Sequence, residues 1–525
     1  QSQAVGQRGI DVKGFAGNLV LLVGHLAAQG AHIVQTVRNL DKDYADVIAH
    51  RQQQLLEALY ATGKPVVLVL INGQPLTINW ADRYVPSILE AWFPSCLGGE
   101  AIAQTLFGDY NPGGKLSITF PKTTGQLQYN FPYKPGSHGA QHKSGPNGSG
   151  ETRVTGALYP FGHGLSYTDF AWETVNFAVE NEMVNWEVKV TNTGDVAGKD
   201  VLQLYFTAPY IPGGIEKSAI ELAAYDKTQL LQPGESEVLT ISFPIRDLSS
   251  YDMVNEEAYV LDAGTYEIKL ARNVHDIVEV QTYEVAETKV YNTDEVTGVA
   301  IENRFDYATG DLTYLSRNDW AGTYPTDDDT NYTASNELLA AVDAYKNPAP
   351  VTGAQPTTGA DNGIKLADLR GLAYNDPKWE QFLDQFTYDE LNMLFSDGGW
   401  HSNAIDRLGI PSSRMLDGPA GINSMYVPVS AAAYPTEMMV ASTWNDDLAY
   451  QLGSYIGAEA VAYDVQVWYA PAMNLHRTAQ GGRNFEYYSE DPVLSGMMAA
   501  STIRGAQEQG VIVTIKHFIL NNEET

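Results

Sequence analysis

Residues 482–492 read Gly-Arg-Asn-Phe-Glu-Tyr-Tyr-Ser-Glu-Asp-Pro, placing one arginine, three acidic and three aromatic residues in eleven positions. A strand-like apolar run, 465–469, precedes this stretch, and the next apolar run, 511–515, ends in Lys516-His517. Charged residues that follow successive strands predict a polar pocket at one end of a β/α layer. Because helical patterns separate these strands, residues 376–525 are predicted to form the first part of a (β/α)8 barrel, which usually needs ~250 residues.

The preceding chain is predicted to contain two further domains and a linker. Residues 1–168 include the apolar run Pro65–Ile71, which is rich in β-branched residues and typical of a strand buried on both faces of a parallel sheet. Residues 169–285 alternate apolar and polar side chains between regular turns, which predicts a β-sandwich of about a hundred residues. Residues 286–375 are rich in Thr, Asp, Asn and Pro and are predicted to be a linker. The predicted fold class is therefore α/β multidomain.

Composition excludes several classes of function. The 32 basic and 64 acidic residues give a net charge of −32, which repels nucleic-acid phosphates. No apolar run reaches the ~18 residues of a membrane span, so no membrane partner is expected. The single cysteine, Cys96, excludes an intrachain disulfide and a thiolate-rich metal site, and is predicted to be a small core residue. The compartment, cytoplasmic or secreted, and the oligomeric state, homo-oligomers included, stay open.

Two charged residues can bind sugar hydroxyls or serve structure. Asp417 lies in Leu416–Gly421, where Gly and Pro predict a tight turn directly after a short strand. Its carboxylate can accept hydrogen bonds from adjacent hydroxyls, or it can be an Asx-turn or helix-cap residue. Arg483 offers a planar fork for a diol or a carboxylate. The alternative is a structural ion pair with Glu486, Glu490 or Asp491.

Lys516 and His517 are adjacent at the end of a predicted strand. In a continued strand their side chains would point to opposite faces, so both reach one pocket only if the strand ends or kinks there. The alternative is that one of the two residues is functional and the other structural. Three aromatic residues could stack on a sugar or belong to the core: Trp444, Trp468 and Tyr487.

Several motifs together resemble one family. They are Leu-Asp-Gly-Pro-Ala-Gly at 416–421, the stretch 482–492, Thr-Ile-Lys-His-Phe at 514–518, Asn-Pro-Gly-Gly-Lys-Leu at 111–116, and 158–167. They resemble glycoside hydrolase family 3, β-glucosidase type. Residues 1–168 then correspond to part of its α/β sandwich domain. Residues 170–285 are similar to its fibronectin type III-like domain, with Val190–Gly194 as the signature. The barrel comes last here, so the chain resembles the inverted-order members.

The resemblance implies an enzyme that hydrolyses terminal non-reducing β-D-glucosyl residues of β-glucosides or cello-oligosaccharides by a retaining, two-carboxylate mechanism. The implied partner is a small neutral saccharide, with no metal or other cofactor. Asp417, Arg483, Lys516 and His517 are implied to hold the non-reducing sugar.

The catalytic carboxylates are not located by the resemblance. The family's nucleophile lies in a Ser-Asp-Trp-like motif downstream of the Lys-His strand, so it is expected beyond Thr525, and the chain is expected to be a fragment. The acid/base glutamate belongs to a segment that reads Arg38–Asp43 here, without a glutamate. Asp41 and Asp43 are its candidates, and ordinary surface charge is the alternative.

Two other readings of the pocket stay open. One is a β-xylosidase or another exo-glycosidase of the same family. The other is a non-catalytic carbohydrate-binding relative that kept the sugar site and lost turnover.

Overall fold

The structure is a computed structural model that describes residues 20–25, 52–122, 157–303, 335–344, 355–424, 427–476 and 481–518, with 316, 318, 353 and 521. No helix within these ranges combines the length and apolar character needed to cross a membrane. Asp41, Asp43 and the loop predicted within 121–157 lie wholly or largely outside the described residues.

The first part of the chain forms a parallel sheet with helices between its strands, as predicted. Its elements are β1 (Val20–His25), α1 (52–60), β2 (Val66–Ile71), α2 (Asn79–Tyr84), β3 (Ser87–Glu90) and α3 (Gly98–Phe107). The strand order is β1-β2-β3, so the apolar strand β2 is central. Leu68 and Leu70 of β2 pack against Leu56 of α1. Cys96 precedes α3 and is exposed, so its predicted core position is wrong, since its loop runs over the surface.

The second part is a β-sandwich. Its strands are β4 (Phe170–Glu180), β5 (Met183–Asn192), β6 (Val201–Thr207), β7 (Glu221–Lys227), β8 (Ser236–Pro244), β9 (Ser250–Asp252), β10 (Ala258–Leu261), β11 (Gly264–Asn273), β12 (Asp276–Val285) and β13 (Lys289–Tyr291). Two antiparallel sheets, β4-β5-β8 and β12-β11-β6-β7, face each other. Alternate residues of β5, such as Trp186 and Val188, are buried against Leu202 and Leu204 of β6. The alternating sequence pattern therefore predicts which side chains of β5 face the core.

The last part contains the strands that position the candidate site. Its elements are α4 (Asn336–Ala344), α5 (Pro377–Leu383), α6 (Tyr388–Ser396), β14 (His401–Ser402), β15 (Ser413–Asp417), α7 (Glu437–Ala441), α8 (Asp446–Ala462), β16 (Val467–Tyr469), α9 (Pro492–Gln507) and β17 (Ile512–Val513). Strands β15, β16 and β17 are parallel neighbours, and β14 pairs antiparallel with β15. Short 3-10 helices cover Ile245–Leu248, Leu366–Leu369, Asp406–Leu408 and Asn484–Glu486.

Local sequence signals account for the ends of these helices. The Thr387 side chain accepts a hydrogen bond from the Glu390 amide in the predicted capping box of α6. Asn445 caps α8, and Asp491 caps α9 by accepting from the amides of Val493 and Leu494, both at 2.9 Å. Each cap satisfies amides that have no partner within the helix.

The range predicted as linker also holds ordered elements. Strand β13 pairs with β10 of the sandwich. At the other end, Ile364 and Leu369 are buried in one core cluster with Phe382 and Phe386. The polar composition of this range does not signal these elements, because few apolar side chains among its described residues are buried.

Candidate functional site

The candidate site lies where parallel strands β15, β16 and β17 end. Asp417 is the last residue of β15, and Lys516-His517 follow β17. Arg483 enters from the loop between β16 and α9, immediately before the 3-10 turn Asn484–Glu486. The structure thus brings together all four residues predicted to hold a sugar. Together with Glu486 they are called the polar cluster below.

Lys516 is the central cation of the polar cluster. Its Nζ lies 2.7 Å from Oδ1 of Asp417 and 3.1 Å from Oε2 of Glu486. The Lys516 side chain is 12% exposed, whereas that of Asp417 is 38% exposed. Lys516 is therefore the more deeply buried partner, and the Asp417 carboxylate is closer to solvent.

Asp417 has a local and a long-range role together. Its Oδ1 accepts from the amide of Gly418 at 2.7 Å as well as from Lys516. The buried Trp468 stabilises the turn, because its Nε1 donates to the carbonyl of Gly418 at 3.0 Å. The contact with Gly418 reaches only the next amide, whereas an Asx-turn reaches the amide two residues on, and it occurs together with the contact to Lys516. The turn aims the carboxylate toward the strand ends.

Arg483 forms the ion pair that was the structural alternative, but the pair lies inside the cluster. Its Nε donates to Oε1 of Glu486, and its Nη1 is 2.9 Å from Nε2 of His517. Glu486 is only 8% exposed and contacts both Arg483 and Lys516. The sequence predicts Glu486 only as a possible ion-pair partner of Arg483. It does not predict that Glu486 is a buried anion between Arg483 and Lys516. Its spacing of three from Arg483 was the available signal.

His517 is held as a neutral imidazole. Its Nε2 accepts from Arg483, which has donors only, so Nδ1 carries the proton and donates to the hydroxyl of Tyr487 at 2.8 Å. Burial lowers the pKa of His517, and the charges of Arg483 and Lys516 lower it further. Glu486 and Asp417 oppose this shift.

Both Lys516 and His517 reach the cluster because regular strand structure ends at Val513. The apolar pattern predicts a strand as far as residue 515, and the observed strand is Ile512–Val513. The peptide bond between Lys516 and His517 is cis.

The three large aromatic residues considered for stacking belong to the core. Trp444 and Trp468 are fully buried and Tyr487 is 1% exposed, so none presents a ring face to a ligand. Trp444 packs against Phe161 and Tyr225 from the preceding parts of the chain. Trp468 contacts the turn after Asp417, and Tyr487 contacts His517, so these two support the site from the core.

The polar cluster is charge-balanced. Two carboxylates, Asp417 and Glu486, face two cations, Arg483 and Lys516, beside a neutral imidazole. Such a set offers donors and acceptors to vicinal hydroxyls with no net charge to attract an ion. Within the described ranges no group of three or more His, Cys, Asp or Glu is arranged to hold a metal.

Comparison with known families gives three matches along the chain. Residues 22–167 match the glycosyl hydrolase family 3 C-terminal domain, and residues 400–523 match the family 3 N-terminal domain. Residues 200–274, between them, match the fibronectin type III-like domain.

Individual relatives agree. The chain is 30% identical to beta-glucosidase A of Butyrivibrio fibrisolvens, over 92% of this chain and 62% of the relative. It is also 30% identical to a beta-glucosidase of Ruminococcus albus, over 88% of this chain and 48% of the relative. A crystal structure of a beta-glucosidase from Paenibacillus barengoltzii superposes with a TM-score of 0.69 and 27% identity, over 90% of this chain and 53% of that one.

The chain thus spans about half to three fifths of the length of these relatives. Segments that match both family-specific domains are present, and the match to the C-terminal domain precedes the match to the N-terminal one. The chain belongs to glycoside hydrolase family 3, in the inverted domain order.

Proposed function

We propose that the protein hydrolyses terminal non-reducing β-D-glucosyl residues, and that the polar cluster holds the sugar. The observation that supports this is the convergence of Asp417, Arg483, Lys516 and His517 at the ends of three parallel strands. The relatives named beta-glucosidases give the substrate class.

The chemistry of the cluster fits a neutral sugar. The partly exposed Asp417 carboxylate accepts from hydroxyls, while Lys516 and Arg483 donate to hydroxyl oxygens. Charge-assisted hydrogen bonds of this kind are roughly twice as strong as neutral ones. Glu486 keeps the two cations close together without net repulsion. In this proposal the cluster binds and orients the sugar, and a separate carboxylate pair breaks the glycosidic bond.

The test begins with glucose binding to the 525-residue chain, measured by calorimetry. Asp417→Ala should weaken binding at least tenfold, because a hydrogen bond to a charged group contributes about 1.5–3 kcal/mol. Asp389→Ala, on an exposed position of α6, is the matched control and should bind like wild type. Wild-type chain that binds no saccharide, or Asp417→Ala that binds normally, would contradict the proposal.

Substrate choice and turnover are tested on the whole protein. Hydrolysis of aryl β-glucoside faster than aryl β-xyloside supports the glucosidase over the xylosidase. Glucose binding without hydrolysis of either would identify the non-catalytic alternative.

A further inference from the structure

A second buried carboxyl group, Glu437, lies directly behind the polar cluster. It is the first residue of α7 and is 1% exposed. Its Oε1 accepts from the amide of Ala472 at 3.0 Å, and its Oε2 has no hydrogen-bond partner in the described part of the chain. Burying a carboxyl group with one oxygen unpaired costs folding free energy, so a role that offsets this cost is expected.

The segment that Glu437 holds also holds Lys516. Ala472 forms a parallel bridge with Lys516. On one side, the Lys516 amide donates to the carbonyl of Pro471 at 3.1 Å. On the other, the amide of Met473 donates to the carbonyl of Lys516 at 2.7 Å. The backbone of Lys516 is thus fixed by residues 471–473, and the middle residue of that segment is fixed by Glu437.

We propose that Glu437 is a positioning residue of the sugar site. By anchoring the Ala472 amide, it keeps residues 471–473 in the register that places the Lys516 ammonium between Asp417 and Glu486. The effect on sugar binding rests on the proposed sugar-binding role of the polar cluster. The positioning of Lys516 by Glu437 does not depend on that role. Glu437 itself does not touch the sugar.

The electrostatics of Glu437 agree with an uncharged anchor. Burial raises the pKa of Glu437 well above its usual range, and repulsion by Glu486 adds to the shift. The Ala472 amide and the Lys516 charge oppose it. The neutral form is therefore favoured, and glutamine is a close mimic because its Oε1 also accepts from an amide.

The test uses three variants of the whole 525-residue chain. Glu437→Gln keeps the acceptor for Ala472, whereas Glu437→Leu keeps the volume and removes the acceptor. Glu459→Leu is the matched control. Glu459 lies on α8 and also accepts from a backbone amide, that of Ala432, at 3.2 Å. Thermal melting of each variant reports whether it is folded.

The first measurement is independent of any sugar. Acetylation of Lys516 by a limiting amount of acetic anhydride, which transfers an acetyl group to the lysine amine and releases acetate, is mapped by mass spectrometry and reports how firmly the ammonium is held. We expect labelling to rise about fivefold or more in Glu437→Leu, since a buried amide loses its acceptor. Labelling should stay within about twofold of wild type in Glu437→Gln and Glu459→Leu.

The second measurement is the glucose dissociation constant. It should rise in Glu437→Leu and stay close to wild type in Glu437→Gln and Glu459→Leu.

Folded Glu437→Leu with wild-type labelling would overturn the inference. If the leucine variant does not fold, the glutamine variant decides. Increased Lys516 labelling in folded Glu437→Gln would overturn the inference, because glutamine keeps a neutral acceptor for the Ala472 amide. If wild type binds no glucose, the proposed function fails, and the labelling experiment still decides the role of Glu437.

Discussion

Glu486, Glu490 and Asp491 lie within six residues of one another and have three different roles. Glu486 is the anion between Arg483 and Lys516. Glu490 Oε1 accepts from the amide of Thr119 at 3.0 Å, which joins the loop to the first part of the chain. Asp491 caps α9. A single motif therefore builds the site, docks it against a neighbouring unit and starts the following helix.

His476 supports the same loop and predicts how stability depends on pH. Its ring is buried, and its Nε2 donates to the carbonyl of Tyr487 at 2.9 Å. Burial lowers the pKa of His476 from 6.5 to about 4. The unfolded chain therefore binds a proton between pH 6.5 and 4 that the folded protein does not, so stability falls as pH falls through this window.

The expected loss from this one group is about 3 kcal/mol at and below pH 4. Melting temperatures of wild type and His476→Asn, measured from pH 7.5 to 4, should show a shallower decline for the variant. His275→Asn, at an exposed position, is the control and should decline like wild type. Parallel curves for wild type and His476→Asn would contradict the assignment.

At the scale of elements, helices α8 and α9 pack through glycine. A Cβ on Gly505 of α9 would lie 2.1 Å from the carbonyl oxygen of Tyr450 on α8. On the facing helix, a Cβ on Gly453 would lie 1.9 Å from the carbonyl oxygen of Thr502. The two backbones approach too closely for any side chain at these points. The pair lies behind β16 and β17, so its spacing supports the strand ends that carry the site.

Gly505→Ala should destabilise the protein although alanine favours helix formation. We expect a loss of about 1–3 kcal/mol from overpacking. Gly496→Ala lies in the same helix with nothing within 4 Å of the added Cβ, and should be neutral or stabilising by up to ~1 kcal/mol. Urea unfolding of both variants measures the difference. Equal effects of the two substitutions would mean that the close approach does not constrain the helices.

At the scale of the whole molecule, the units share a core. Phe161 of the first part and Tyr205 and Leu222 of the sandwich belong to one buried cluster with Trp444 and Met498 of the last part. Hydrogen bonds cross the same boundary. Trp444 Nε1 of the last part donates to the carbonyl of Lys115 of the first part at 3.0 Å, and Lys227 Nζ of the sandwich donates to the carbonyl of Thr443 of the last part. The strands that carry the site are therefore stabilised partly by the rest of the chain.

The isolated segment 376–525 should consequently fail to fold cooperatively. It would expose the apolar face that meets Phe161 and Tyr205, and it would lack Ile364 and Leu369, which complete the core around Phe382 and Phe386. The sandwich, 169–303, has its own core and is the control that should melt cooperatively. Circular dichroism melts of both segments test this. A cooperative transition for 376–525 would show that the shared core is dispensable.

Much of the fold could be predicted from local patterns. The apolar run of β2, the alternation of β5 and the capping box at Thr387 each depend on residues close in sequence, so they are readable without tertiary contacts. The family motifs pointed to four residues that the structure brings together in the polar cluster. Each lies at a strand end or in a short loop with a distinctive local sequence.

Other features were decided only by the tertiary structure. Whether Lys516 and His517 share one pocket depended on where β17 ends, and Glu437 showed no local sign of lying behind Lys516. The burial of Trp444 and Trp468 and the exposure of Cys96 followed from packing between distant segments. Sequence by itself determined the fold class and the identity of the polar residues, because these depend on local periodicity and motif chemistry. The tertiary structure decided which side chains meet and which are buried, because those contacts join residues up to several hundred positions apart.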